Sequence, residues 1–97
     1  MLDPKPIMAL LEKASLFELN QLSMMIDKAM QQSDRIKAVR EQFRVGDVIP
    51  WFDPKRHQCY PGRILEKHYK YVLLQDVEHP QYEYKIPYGH LNLNAHL

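Results

Sequence analysis

The sequence predicts an α+β chain: an N-terminal helix or helical hairpin, followed by a five-stranded antiparallel small β-barrel. Three observations carry this. Residues 16–43 contain no Gly or Pro and set apolar side chains at steps of three and four, the period of a helix face. From Val48 onward, short runs rich in Val, Ile, Tyr and Trp alternate with turn-forming Asp, Pro, Gly and Gln. Finally, 97 residues allow one domain, or one small domain with an extension. We place the boundary at 43/44, with a helical arm over 1–43 and the barrel over 44–97.

The arm opens at Asp3-Pro4, an acceptor side chain at the cap followed by a residue whose missing N–H the first helical turn does not need. Ile7, Leu10 and Leu11 then predict a short helix over 4–14. Ser15-Leu16-Phe17-Glu18 has the capping-box spacing, so a long helix is expected over 16–43. Its seam is Leu19, Leu22, Ile26, Ala29, Ile36 and Phe43, interrupted by Ser33 and Arg40. Met24, Met25 and Met30 widen the face as adaptable packing. Such a helix would span ~42 Å, against roughly 20–25 Å for a barrel of this size. Either Gln31-Gln32-Ser33-Asp34 bends it, or its far end packs elsewhere. A homodimer through the long helix is expected, with Leu22, Ile26, Ala29 and Ile36 as the protein-binding residues; the alternative is a hairpin within one chain.

In the barrel, Val45-Gly46-Asp47 turns the chain into a first strand with Ile49 and Trp51 inward. Asp53-Pro54-Lys55-Arg56 is a polar turn with a basic tip. The second strand, 59–67, has Ile64 in the core and a bend at Pro61-Gly62. The third, 69–77, points Val72 and Leu74 inward, and the fourth, 82–86, points Tyr84 and Ile86 inward. Pro87-Tyr88-Gly89-His90 suits one tight helical turn, and Leu91 to Leu93 is expected to close the barrel as a fifth strand.

Composition limits the function. The charge is near balance, 13 basic against 12 acidic side chains, so any basic footprint for nucleic acid must be local. The single cysteine, Cys59, excludes an internal disulfide and fits a cytoplasmic location. No apolar run reaches the ~20 residues of a membrane span, and the N-terminus lacks the pattern of a signal peptide, so no membrane association is expected. His57, His68, His79 and His90 recur every eleven residues, but successive turns of a meander fall at opposite ends, so no metal site is expected. A Cys59/His57 dyad reads as strand packing. No phosphate loop or nucleophile elbow is present, so the chain is read as non-enzymatic and without a cofactor.

The signals Val45-Gly46-Asp47, Gly62-Arg63-Ile64, Tyr71-Val72-Leu73-Leu74 and Lys85-Ile86-Pro87 with Leu91 resemble those of Src-homology-type small barrels, the KOW and Tudor group. The whole chain is similar to a recurrent kind of small bacterial or phage protein with a helical arm before such a barrel. The resemblance implies an interaction module that binds RNA, associates with the transcription or translation machinery, or binds protein tails.

The leading expectation is weak, salt-sensitive RNA or DNA binding. Lys55, Arg56, Arg63, Lys67, Lys70 and Lys85 are the candidates for phosphates, with Tyr60 and Tyr69 among the tyrosines available to stack on bases. The alternative is a protein–protein module using the same aromatic surface.

Overall fold

The computed structural model describes residues 2–95. It is α+β: α1 (Pro4–Lys13), α2 (Leu16–Met30), α3 (Ser33–Arg40), then β1 (Val48–Asp53), β2 (Gln58–Lys67), β3 (Tyr71–Asp76) and β4 (Glu83–Pro87). Single 3₁₀ turns at Tyr88–His90 and Leu93–Ala95 follow. The chain divides into two compact units at Gln32/Ser33. Among the described residues, no helix is long and apolar enough to cross a membrane.

The first unit is α1 and α2. Asp3 Oδ1 accepts the Lys5 N–H at 3.0 Å, capping α1 with Pro4 at its first position. Ser15 and Glu18 exchange both bonds of a capping box at the start of α2. Neither helix buries a residue: Leu19, Leu22 and Ala29 are half-buried, while Phe17, Met24, Met25 and Ile26 are exposed.

The long helix expected over 16–43 is instead two helices. It stops at Met30, where Gln31 leaves helical geometry (φ −92°, ψ 0°) and the Gln32 N–H reaches back only to the Ala29 carbonyl. Gln31-Gln32-Ser33-Asp34 supplies no apolar side chain to hold both halves on one face, and Ser and Asp favour helix starts over helix interiors. Ile36 therefore belongs to the second unit, where it and Val39 pack against the sheet core.

The second unit is an antiparallel meander in the order β1-β2-β3-β4. Its core is Phe43, Ile49, Trp51, Ile64, Val72, Leu74, Ile86, Tyr88 and Leu91, all buried. Alternation along β1 and β3 places every second residue there, as the period of a half-buried strand requires. Gly46 takes φ +96° in the turn before β1, a conformation open to glycine. Its N–H donates to the Ile64 carbonyl at 2.8 Å, which sets β1 beside β2.

Among the described residues the sheet has four strands and is not closed, so the expected fifth strand is not shown. Leu91 makes one antiparallel bridge to Trp51, and the Asn92 N–H donates to the Pro50 carbonyl at 2.8 Å. The chain then turns into 3₁₀ geometry at Leu93. Two residues between two tight turns are too few for a ladder, and Asn92 is a poor strand former.

A register shift between Ile64 and Glu66 adds a residue to β2. Lys67 is thereby set opposite Val72, on the core-facing side of the sheet. Its Nζ donates to the carbonyls of Arg40 and Phe43 at 2.6 and 2.8 Å, satisfying acceptors at and just after the end of α3. Burial pushes the Tyr88 phenol up, and its hydroxyl donates to the His68 carbonyl.

Candidate functional site

The second unit has a cleft of ≈ 390 Å³ beside the β1–β2 turn. Trp51, Tyr84, Ile86, Pro54 and Pro87 supply apolar walls, and Lys55, Arg56, Lys85, Asp53 and His90 supply polar groups. Alternation puts Trp51 on the inner face of β1, and Tyr84 meets it from β4 with ring centroids 5.0 Å apart. Tyr60 of β2 pairs with Trp51 in register, its ring 6.4 Å away. Gly62 makes this possible: a Cβ there would lie 2.9 Å from Cδ1 of Trp51.

The turn is built by its own side chains. Asp53 Oδ1 accepts the Lys55 N–H at 2.9 Å, and the His57 N–H closes on the Asp53 carbonyl at 2.8 Å. His57 takes φ +54°, which lets the chain reverse into β2. Arg56 Nε donates to Asp53 Oδ2 at 2.6 Å, and this bond holds the Asp53 carboxyl below its ordinary range and raises the Arg56 guanidinium. The same guanidinium carbon lies 3.6 Å from the Tyr60 ring centroid. Arg56 also comes within 3.9 Å of Asp76, which is buried and accepts the N–H groups of Glu78 and His79 in the β3–β4 turn.

Two buried polar atoms among the described residues have no hydrogen-bond partner, Trp51 Nε1 and His90 Nδ1. Both residues line this cleft. Leaving a buried donor unmade costs about 1–3 kcal/mol.

The residues singled out from sequence divide. Lys55, Arg56 and Lys85 come together at the cleft, with Tyr60 beside it under Arg56. Lys85 also holds its ammonium 4.1 Å from the Tyr71 ring centroid. Tyr69 and Lys70 sit in the β2–β3 turn, at the other end of the strands, where Arg40 lies over the Tyr69 ring and donates to its carbonyl. Arg63 donates to the Gly46 carbonyl at 3.0 Å. Lys67 is taken up by the carbonyls of Arg40 and Phe43. Leu22 and Ala29 are half-buried in α2, Ile26 is exposed there, and Ile36 packs on the sheet.

Sequence reasoning assigned Trp51 and Tyr84 to folding and gave His90 and Asp53 no role in a site. Its one usable signal was the strand-ending Trp51-Phe52-Asp53-Pro54-Lys55-Arg56, which puts two aromatic residues, an acid and two cations at one tip. The eleven-residue histidine spacing resolves into local packing: His68 stacks on Tyr71 at 4.5 Å and His79 tilts on Tyr82 at 6.4 Å. Among the described residues, no group of three His, Cys, Asp or Glu side chains is placed to hold a metal ion. Cys59 is exposed on β2, opposite Phe52.

Comparison with protein-family models, curated proteins and solved structures finds no match to this chain.

Proposed function

We propose that this chain is a non-enzymatic, cytoplasmic module that binds single-stranded nucleic acid, RNA or DNA, through the second unit. One observation carries the reading. At the cleft, Lys55, Arg56 and Lys85 surround aromatic walls, and the only carboxylate among the lining residues, Asp53, is turned onto Arg56 and the Lys55 N–H. Cations for phosphates beside flat faces for bases are what a strand with unpaired bases needs. Around this site the near-balanced charge of the chain leaves a local excess of positive groups. The Trp51–Leu91 bridge supports reading the sheet as an incompletely closed small barrel of the KOW or Tudor kind. Association with transcription or translation machinery follows from that reading.

The test is a titration of labelled single-stranded RNA and DNA at low and at physiological salt, with Lys55→Glu and Lys85→Glu alongside. Micromolar or weaker binding that falls with salt and with each charge reversal supports the proposal. No binding at low salt, or binding indifferent to both reversals, overturns it.

A second reading concerns the first unit. Two helices that bury no residue and expose Phe17, Met24, Met25 and Ile26 cannot be held by their own core. We propose that α2 pairs with a second copy of the chain, which would give a weak nucleic-acid surface the benefit of bivalency. The notion of a protein-binding aromatic surface rests on the same cleft and is the outcome to adopt if oligonucleotides fail to bind.

A further inference from the structure

We infer that α2 meets α2 of a second copy antiparallel, about a twofold axis beside Met24, so that Leu19 packs on Ala29 of the second copy and Leu22 on its Ile26. This deepens the self-pairing of α2 proposed above and rests on it.

Spacing defines the face that needs a cover. Leu19, Leu22, Ile26 and Ala29 follow at steps of three, four and three, a seam along one side of α2. Leu16, Met25 and Met30 flank this seam, and all three are exposed. Glu18, the charged residue on the same flank as Met25, already exchanges hydrogen bonds with Ser15 in the capping box. Together α1 and α2 carry three basic and three acidic side chains, so no net charge repels a second copy.

The order of side-chain sizes sets the orientation. A seam that starts on leucine and ends on alanine matches itself when one copy is reversed. Reversal about position 24 puts 19 opposite 29 and 22 opposite 26, so a large side chain faces a small one at each end. A parallel pair would set Ala29 on Ala29 and leave a void at that end. A concavity points the same way. Leu22 shares an open groove of ≈ 390 Å³ with Leu10 and Ala14 of α1. In the reversed pair the side chain arriving at Leu22 is the exposed Ile26 of the second copy, and the twofold axis repeats the contact on the other side. In a parallel pair Leu22 would meet only another Leu22, itself half-buried. The chain leaves α2 at Met30, so the two exits of the reversed pair stand ~18 Å apart along the helix axis, where a parallel pair would release both at one end.

The experiment uses the full chain carrying Cys59→Ser, because Cys59 is exposed and is the only cysteine. Met25→Cys and Ala29→Cys are each added and treated with a short bis-maleimide. In the reversed pair the two copies of position 25 face each other beside the axis, and the two copies of position 29 lie ~15 Å apart along it. In a parallel pair position 29 meets itself on the seam, and position 25 lies on opposite flanks. The expected result is a covalent dimer from Met25→Cys and none from Ala29→Cys. Ala29→Leu, followed by sedimentation equilibrium, keeps the test open if a cysteine variant fails to fold. It should weaken association by about fivefold or more, through overpacking against Leu19, whereas a parallel pair would tighten as its void fills. Crosslinking at position 29, or at neither position, in a protein with the mass of a dimer overturns the antiparallel pairing and leaves α2 self-association standing. Unchanged or tighter association of Ala29→Leu does the same. An unmodified chain that stays monomeric at high micromolar concentration overturns both.

Discussion

Gly62 of β2 lies so close to Trp51 of β1 that a methyl group on its Cα would stand 2.9 Å from the indole Cδ1, with both Leu74 methyls at 3.1 Å. The indole and the Leu74 side chain fill the space that a side chain at 62 would occupy. Neighbouring inner-face residues Ile49 and Ile64 are 0 % exposed, which leaves no slack around them.

Gly62→Ala should therefore destabilise the second unit by about 1–3 kcal/mol, the usual cost of overpacking a filled core. Urea unfolding followed by Trp51 emission measures it. A shifted native emission spectrum would show that the indole, rather than Leu74, gives way. An unchanged midpoint would mean that the close approach is relieved by a backbone shift of no cost.

Acid should loosen the β1–β2 turn. The Asp53 carboxyl is held low chiefly by the Arg56 hydrogen bond, and burial opposes this. A depressed folded-state value means stability that is present above the unfolded carboxyl's value of ~3.9 and lost as pH falls through the lower, folded one. Melts between pH 7 and pH 2.5 should show a loss at the acid end that is shallower in Asp53→Asn. Equal acid sensitivity in the two proteins would exclude the pair as a source. Arg56→Gln should reproduce the Asn variant and also free the Tyr60 ring.

Lys67 should behave as a structural residue. Its ammonium serves two carbonyls at the end of α3 and lies 5.1 Å from the Phe43 ring centroid. Lys67→Met should cost about 1.5 kcal/mol, the lower end for charged hydrogen bonds because the site is partly open to solvent, and should leave oligonucleotide affinity where it was. Lys55→Glu should do the reverse, with little change in stability and weaker binding.

The α2 face predicts self-association. Sedimentation equilibrium on the unmodified chain should give a mass above that of a monomer, and Ile26→Asp or Phe17→Asp should lower it. Ile36→Asp should instead unfold the second unit, because Ile36 packs on the sheet core. A monomeric unmodified chain at high micromolar concentration would remove the dimer.

The caps, strands and inward residues were readable because each is a local decision. Asp3, Ser15 and Glu18 reach only N–H groups two or three residues away. Strand alternation has a period of two, so Ile49, Trp51, Val72 and Leu74 declare their face from spacing alone. The break at Gln31–Gln32 was harder, because helical spacing continues through it and only the lack of packing partners marks the interruption.

The candidate site was legible in its cations and in Tyr60 beside them. Lys55, Arg56 and Lys85 were named from charge, and the structure brings them together. Arg63 and Lys67 carried the same signal, yet they donate to backbone carbonyls 17 and 27 residues away, and Tyr69 lies under the Arg40 side chain, which donates to its carbonyl. For Lys67 the reason is the extra residue in β2, which reverses the face of everything after Ile64.

By itself, then, the sequence determined where α1 and α2 begin, which strand residues face inward, and that the charge excess must be local. Those depend on neighbours within a few residues or on composition. Only the tertiary structure decided that the sheet stays open at Leu91 and that Lys67 is taken up by the carbonyls of Arg40 and Phe43. It alone set Trp51 and His90 in one cleft with their donor and acceptor positions unmet. These outcomes depend on register between strands and on what remains unpaired once every strand is in place, and that is a property of the assembled chain.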